Sequence, residues 1–266
     1  MQRSRYRLVS IGVSAFFAGA AFAGTPLPNP PFSNGGFVPP DSLTLKEEVS
    51  VGKLLTKYAA SIAKCDQAAV IALQLAYEPA NAQKVPAVQD KWNVCRANAG
   101  TKYGLGRDKL VLKGTPACLD AAGIDAIRAQ IDLQFPLLGP IVYCDADAAA
   151  PDPVTGLNIP DKKQEAIGEV AAAKVVTKAG SVAGKCYTAA ATAVFKLVDP
   201  LAKFNACIGK AQTASDAAMA TLDQTQKLPS CLSLAMAQGL GHSAIALAGQ
   251  FTDETYCASP SGAFVE

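Results

Sequence analysis

The chain has 266 residues, half of them hydrophobic but only 7% aromatic, with 24 basic residues, 22 acidic residues and one histidine. That balance lacks the basic stripe a nucleic-acid partner requires, and a single histidine leaves little for zinc or acid–base chemistry. Abundant alanine, few aromatics and no strand-like alternation of Val and Ile predict an all-α protein with thin helix contacts.

The N-terminus carries Arg3, Arg5 and Arg7, then the uncharged apolar run LVSIGVSAFFAGAAFA, then Ala21-Phe22-Ala23. Those three parts in that order predict a secretory signal peptide over residues 1–23 and a secreted, periplasmic or cell-envelope location. Without it, 243 residues remain, with 21 basic against 22 acidic side chains. Residues 24–41 follow, Pro-rich and extended: GTPLPNPPFSNGGFVPP holds six prolines in seventeen residues and no charge, the composition of a spacer.

The chain then writes one phrase twice. KLLTKYAASIAKC at 53–65 aligns without a gap with KVVTKAGSVAGKC at 174–186. Downstream, KWNVC (91–95) matches KFNAC (203–207), TPACL (115–119) matches LPSCL (228–232), and Tyr143-Cys144 matches Tyr256-Cys257. Four cysteines in matched order predict a tandem duplication: helical repeat 1 over 42–144, an acidic, Pro-bearing linker over 145–161, helical repeat 2 over 162–257 and a tail over 258–266.

Each repeat is expected to open on a long helix. Capping-box patterns stand at Thr44–Glu47 and Asp161–Gln164. Apolar stripes run through Leu45, Val49, Leu55, Tyr58, Ile62, Cys65, Ala69 and Leu73, and through Ile167, Ala171, Val175, Val182, Cys186, Ala189 and Ala193. Pro79 and Pro200 mark turns. Second helices follow near 86–112 and 200–227, the former with a kink or early end expected at Gly100, Gly104 and Gly106.

Eight cysteines in an exported chain read as structural disulfides, and no C-x-x-C or C-x-x-C-H pattern points to metal, redox or haem chemistry. In an antiparallel hairpin, residues equidistant from the turn face each other. Cys65 and Cys95 flank the first turn equally and Cys186 and Cys207 the second, so these two pairs are predicted. Each contributes about 3–4 kcal/mol in the chain-entropy model. Cys118–Cys144 and Cys231–Cys257 follow by exclusion, while an exchange, Cys118 with Cys257 and Cys144 with Cys231, stays open. The architecture expected is two disulfide-stapled helical hairpins, each with a short third helix, packed as a bundle.

The third helices differ. The first carries Asp120, Asp125, Arg128 and Asp132 opposite Ile124, Ile127 and Ile131, an amphipathic surface pattern. The second, 228–252, has no charge in 25 residues. Its length suits a membrane span of ~20 residues, but Gln238, His242, Gln250 and the flanking Cys231 favour a core helix over membrane contact. It is also the candidate surface for a protein partner or self-association through 232–251. As an alternative, Leu234, Met236, Leu240, Ile245 and Leu247 line an inter-helix pocket for a small hydrophobic ligand.

Catalytic and metal motifs fail on inspection. Gly241-His242-Ser243-Ala244-Ile245 lacks the second glycine of a hydrolase elbow, and adjacent helical residues point apart. GLGHSA lacks the strand that a dinucleotide site needs before it. Asp145, Asp147, Asp152 and Asp161 do not have calcium-loop spacing and read as a solvated linker. The expectation is a non-enzymatic structural or binding protein with no cofactor and no metal.

The run KCYTAA…DPLAKFNACIGKAQTASDAAM…LPSC resembles secreted bacterial Cys-rich, Lys/Ala-rich helical repeat proteins, which share a K-C…C-x-x-K-A…C rhythm. The resemblance covers about 50 residues of the second repeat. The first departs from it, since CRANAG lacks the Lys-Ala pair. The resemblance implies no activity.

Overall fold

Helix α1 runs over Ser42–Ala76, and the pair Glu78-Pro79 ends it, because the residue before a proline is pushed out of the α region. A 3-10 turn at Pro79–Lys84 reverses the chain into α2, Val85–Lys113. The remaining helices are α3 at Ala121–Val142, α4 at Lys163–Phe195, α5 at Pro200–Gln224 and α6 at Leu234–Gln250. The computed structural model describes residues 42–115, 119–144, 151–196, 198, 200–250 and 255–256. The signal peptide, the Pro-rich spacer, the tail, Cys118, Cys257, Asp145 and Asp147 lie outside them. Among the described residues there is no strand, and the all-α architecture holds.

The long helices α1 and α4 pack against each other at the centre. Leu45 at the start of α1 shares a cluster with Ala191 near the end of α4, while Leu73 clusters with Ala166 and Val170 at the start of α4. They therefore run antiparallel. Helix α2 lies on α1, and α5 and α6 lie on α4. Helix α3 closes a second core, in which Ile124, Ile127 and Ile131 meet Val51, Leu55, Tyr58 and Tyr103. Its charged side is used as well. Asp132 accepts the Tyr58 hydroxyl at 2.5 Å, Asp125 accepts Tyr103 at 2.9 Å and pairs with Arg107, and Arg128 stacks over both tyrosine rings.

Disulfides Cys65–Cys95 and Cys186–Cys207 join α1 to α2 and α4 to α5, with Cα–Cα distances of 5.8 and 5.7 Å, as the equidistance argument predicts. The other pairing is the exchanged one. Cys144 is bonded to Cys231, at a Cα–Cα distance of 5.8 Å, so neither Cys118–Cys144 nor Cys231–Cys257 forms. The reason is length. Helix α3 is not short: it has 22 residues, about 33 Å at 1.5 Å each, so Asp120 at its start lies much farther from Cys144 than a disulfide tolerates.

Three further expectations change. Helix α2 continues unbroken through Gly100, Gly104 and Gly106. At Gly106 the absent side chain admits Leu54 of α1, whose Cδ1 would lie 2.6 Å from an added Cβ, so this glycine serves close packing rather than a break. On α4, Ile167 is 40% exposed, whereas Ala166, Val170, Ala173, Val176, Ala183 and Ala190 are buried. Of the expected stripe, Cys186 and Ala193 are buried and Val175 and Val182 pack against cores, but Ile167 and Ala189 face outward, because an alanine-rich helix offers little contrast around its circumference. The segment 151–161 is not a solvated linker. Leu157 and Ile159 enter the main core, and Gln74 donates to the Asp161 carbonyl at 3.2 Å.

Candidate functional site

Where α1 crosses α4, small residues face each other. Ala59, Ala60 and Ala63 stand on one helix and Gly180, Ser181 and Gly184 on the other. They do not fill the space between them. A partly open cavity of about 200 Å³ remains there, lined also by α3, by α6 and by Thr255-Tyr256. For scale, an engineered cavity of ~150 Å³ lined by apolar side chains binds benzene.

The walls come from positions that match in the sequence. Leu55 and Val176, Thr56 and Thr177, Ala59 and Gly180, Ala60 and Ser181, Ala63 and Gly184 all line the cavity, each pair separated as Lys53 is from Lys174. So do Tyr143 and Tyr256, Val142 and Thr255, Ile131 and Ala244, Gln134 and Leu247, each separated as Cys144 is from Cys257. Within the twice-written phrase, Lys53, Lys57, Lys64, Lys174, Lys178 and Lys185 are exposed, and the small and β-branched residues between them turn inward.

Several of the hydroxyl groups on these walls have committed their protons. Thr56, Thr177 and Thr188 donate to the carbonyls of Gly52, Ala173 and Gly184 at 2.8, 2.8 and 3.1 Å. Such back-bonding to residue i−4 satisfies a helical threonine locally. Asp66 is buried, and its Oδ1 accepts Trp92 Nε1 at 2.8 Å and Arg96 Nη1 at 3.2 Å. Burial raises its pKa and these donors oppose the rise.

Two buried glutamates flank this region at matched positions, Glu48 on α1 and Glu169 on α4, both 0% exposed. Glu169 Oε1 accepts the backbone N–H of Cys144 at 2.8 Å. Neither Glu48 oxygen has a hydrogen-bond partner among the described residues. Burial, with Glu47 adding repulsion, pushes Glu48 from 4.5 up to about 8. Tyr143 is raised by burial and by the charges of Asp66 and Glu169; Tyr256 is pushed up to about 12 by burial, with Glu48 contributing. Tyr143 thus sits in the field of Glu169 on α4, and Tyr256 in the field of Glu48 on α1.

Of the five residues proposed from sequence as a partner or ligand surface, Leu247 alone lines the cavity. Leu240 is buried in the main core, with Leu234 half-buried against it, Ile245 packs with Ala179, Ala183 and Ala211, and Met236 is 53% exposed. The cavity residues on α1 and α4 were missed as a site because small side chains carry no chemical signature. The signal was the repetition itself.

The remaining candidates take ordinary roles. His242 Nε2 lies 3.0 Å from Asp216 Oδ1 on the protein surface. Asp152 is buried and satisfied by protein donors: Tyr77 Oη at 2.6 Å, Gln89 Nε2 at 2.7 Å and the backbone N–H groups of Val154 and Thr155. Asp161 is exposed. Cys144, Glu169 and Cys231 cluster closely, but both sulfurs are consumed by the disulfide. No helix among the described residues is long and apolar enough to cross a membrane. Protein-family models, curated proteins and solved structures yield no match to the chain.

Proposed function

We propose that this chain is an exported, non-enzymatic binding protein, two copies of one helical unit folded around a shared cavity that holds a small, largely apolar molecule. The cavity between α1 and α4 carries this reading. Its lining is mostly apolar, with a few placed polar groups, the usual constitution of a small-molecule site. Export is supported by the three disulfides among the described residues, which persist in oxidising compartments, and by the N-terminal pattern. Duplication is supported by the matched positions that supply both walls. A partner surface on α6 has less support, because Leu240 and Ile245 point into cores.

Thermal denaturation in the presence of toluene tests the reading. A ligand that binds only the folded state raises Tm with its concentration. Toluene is expected to stabilise the disulfide-intact protein in this way, and Ala60→Leu, which adds three carbons to the cavity wall, is expected to fold and lose the response. No rise in the unmodified protein, or an equal rise in Ala60→Leu, would count against the proposal.

A further inference from the structure

The cavity is matched in outline across its two halves, but not in its polar groups. Tyr256 and Tyr143 occupy equivalent places on opposite walls. The Tyr256 hydroxyl donates to Thr188 Oγ1 at 3.0 Å. Tyr143 is 4% exposed, and the only hydrogen bond to it among the described residues goes to its backbone carbonyl, from Asn158 Nδ2 at 2.8 Å. Its hydroxyl has no protein partner there. A hydroxyl on a cavity wall with no protein partner is open to hydrogen-bond a group from outside the described protein atoms.

The second polar element is Asp66. It lines the same cavity and is 7% exposed. Both donors that reach it, Trp92 and Arg96, go to Oδ1, and Oδ2 takes no hydrogen bond among the described residues. Arg96 already balances the charge, so an ammonium ion is not required here. A carboxylate would be repelled. What remains is a donor for Asp66 Oδ2 and an acceptor for the Tyr143 hydroxyl, and a neutral hydroxyl group is both at once. At the position matching Asp66 the other wall has Tyr187, so that wall offers no second carboxylate.

We infer that the cavity takes a small phenol or alcohol whose hydroxyl is held between Tyr143 and Asp66 while its apolar body lies between α1 and α4. This rests on the binding reading above and specifies its ligand class. The asymmetry of the polar groups also sets the ligand's direction: the hydroxyl points to the Tyr143 wall and the carbon skeleton toward Ala244 and Leu247.

Toluene and p-cresol differ by that hydroxyl and separate the two claims. With the full, disulfide-intact chain, calorimetric titration is expected to give p-cresol a Kd at least ~10-fold lower than toluene's, the equivalent of one retained hydrogen bond. Tyr143→Phe removes a hydroxyl that makes no hydrogen bond to the described protein, so it is expected to fold and to reduce the p-cresol advantage over toluene to below ~3-fold. Equal binding of both compounds by the unmodified protein would show that the polar end is kept by water, overturning this inference while leaving the cavity reading intact. An advantage for p-cresol that survives Tyr143→Phe would likewise overturn it. Binding of neither compound would overturn both.

Discussion

Cys144 is joined to Cys231, and the backbone N–H of Cys144 is held by Glu169 Oε1 at 2.8 Å. One covalent bond and one hydrogen bond thus carry the end of the first half of the chain onto the second. Cleavage within 145–161 is therefore expected to leave the two halves linked under non-reducing conditions and to release them only after reduction. Peptide mapping should recover Cys144 with Cys231. Halves that separate without reductant, or a Cys118–Cys144 peptide, would refute the exchanged pairing.

Glu48 gives the protein a pH dependence of definite sign. Its folded pKa, about 8, lies above the ordinary 4.5, so between these values the folded state holds more protons than the unfolded one. Stability then falls as pH rises through that window, by up to ~1.4 kcal/mol per pH unit from this group. Glu48→Gln keeps the shape without the charge. Urea denaturation of this variant from pH 5 to pH 8 is expected to show a flatter profile and a higher midpoint at pH 8 than the unmodified protein. Parallel profiles would remove Glu48 as the cause.

Asp152 acts in the opposite direction. Burial raises its pKa, but donation from Tyr77, Thr155 and Gln89 more than offsets this and holds it below the ordinary carboxylate value. Its contribution is present above pH 4 and is lost as pH falls through the lowered pKa. Asp152→Ala leaves several donors unpaired and releases the 151–157 turn from α1 and α2. The expected cost is ~3 kcal/mol at pH 7, read from the urea midpoint. A change under ~0.5 kcal/mol would place Asp152 among ordinary surface residues.

Gly168 is where α4 meets the chain leaving α5. A Cβ there would lie 2.7 Å from the Lys227 carbonyl oxygen and 3.2 Å from the Pro229 nitrogen, both backbone atoms. Backbone cannot swing aside as a side-chain tip can. Gly168→Ala is expected to lower stability by ~1–3 kcal/mol despite alanine's better helix propensity. Gly209→Ala, with nothing within 4 Å of the added carbon, is expected to be neutral or stabilising.

The helices, their order and two of the three disulfides among the described residues were legible because they rest on local or nearly local rules: apolar periodicity, prolines at turns, cysteines equidistant from a bend. On α4 the expected stripe failed at Ile167 and Ala189, which are exposed, because alanine surrounds that helix. The Cys144 pairing needed only the length of α3, since a cysteine before a 22-residue helix cannot reach one beyond it. The role of Asp152 was hidden because Tyr77 and Gln89 are distant in sequence. The cavity was the least legible feature. It is built from what Ala59, Ala60, Ala63, Gly180 and Gly184 lack, and only the antiparallel crossing of α1 and α4 turns small side chains into a space. The repeated phrase had marked those positions, but as scaffold rather than as site.

The binding claim is tested most directly by crystals of the disulfide-intact protein soaked with iodobenzene and measured for anomalous scattering. An iodine peak between α1 and α4, within the walls formed by Thr56, Ala60, Thr177 and Ser181, is the result predicted. No peak there, with iodine only at exposed side chains such as Met236, would contradict it.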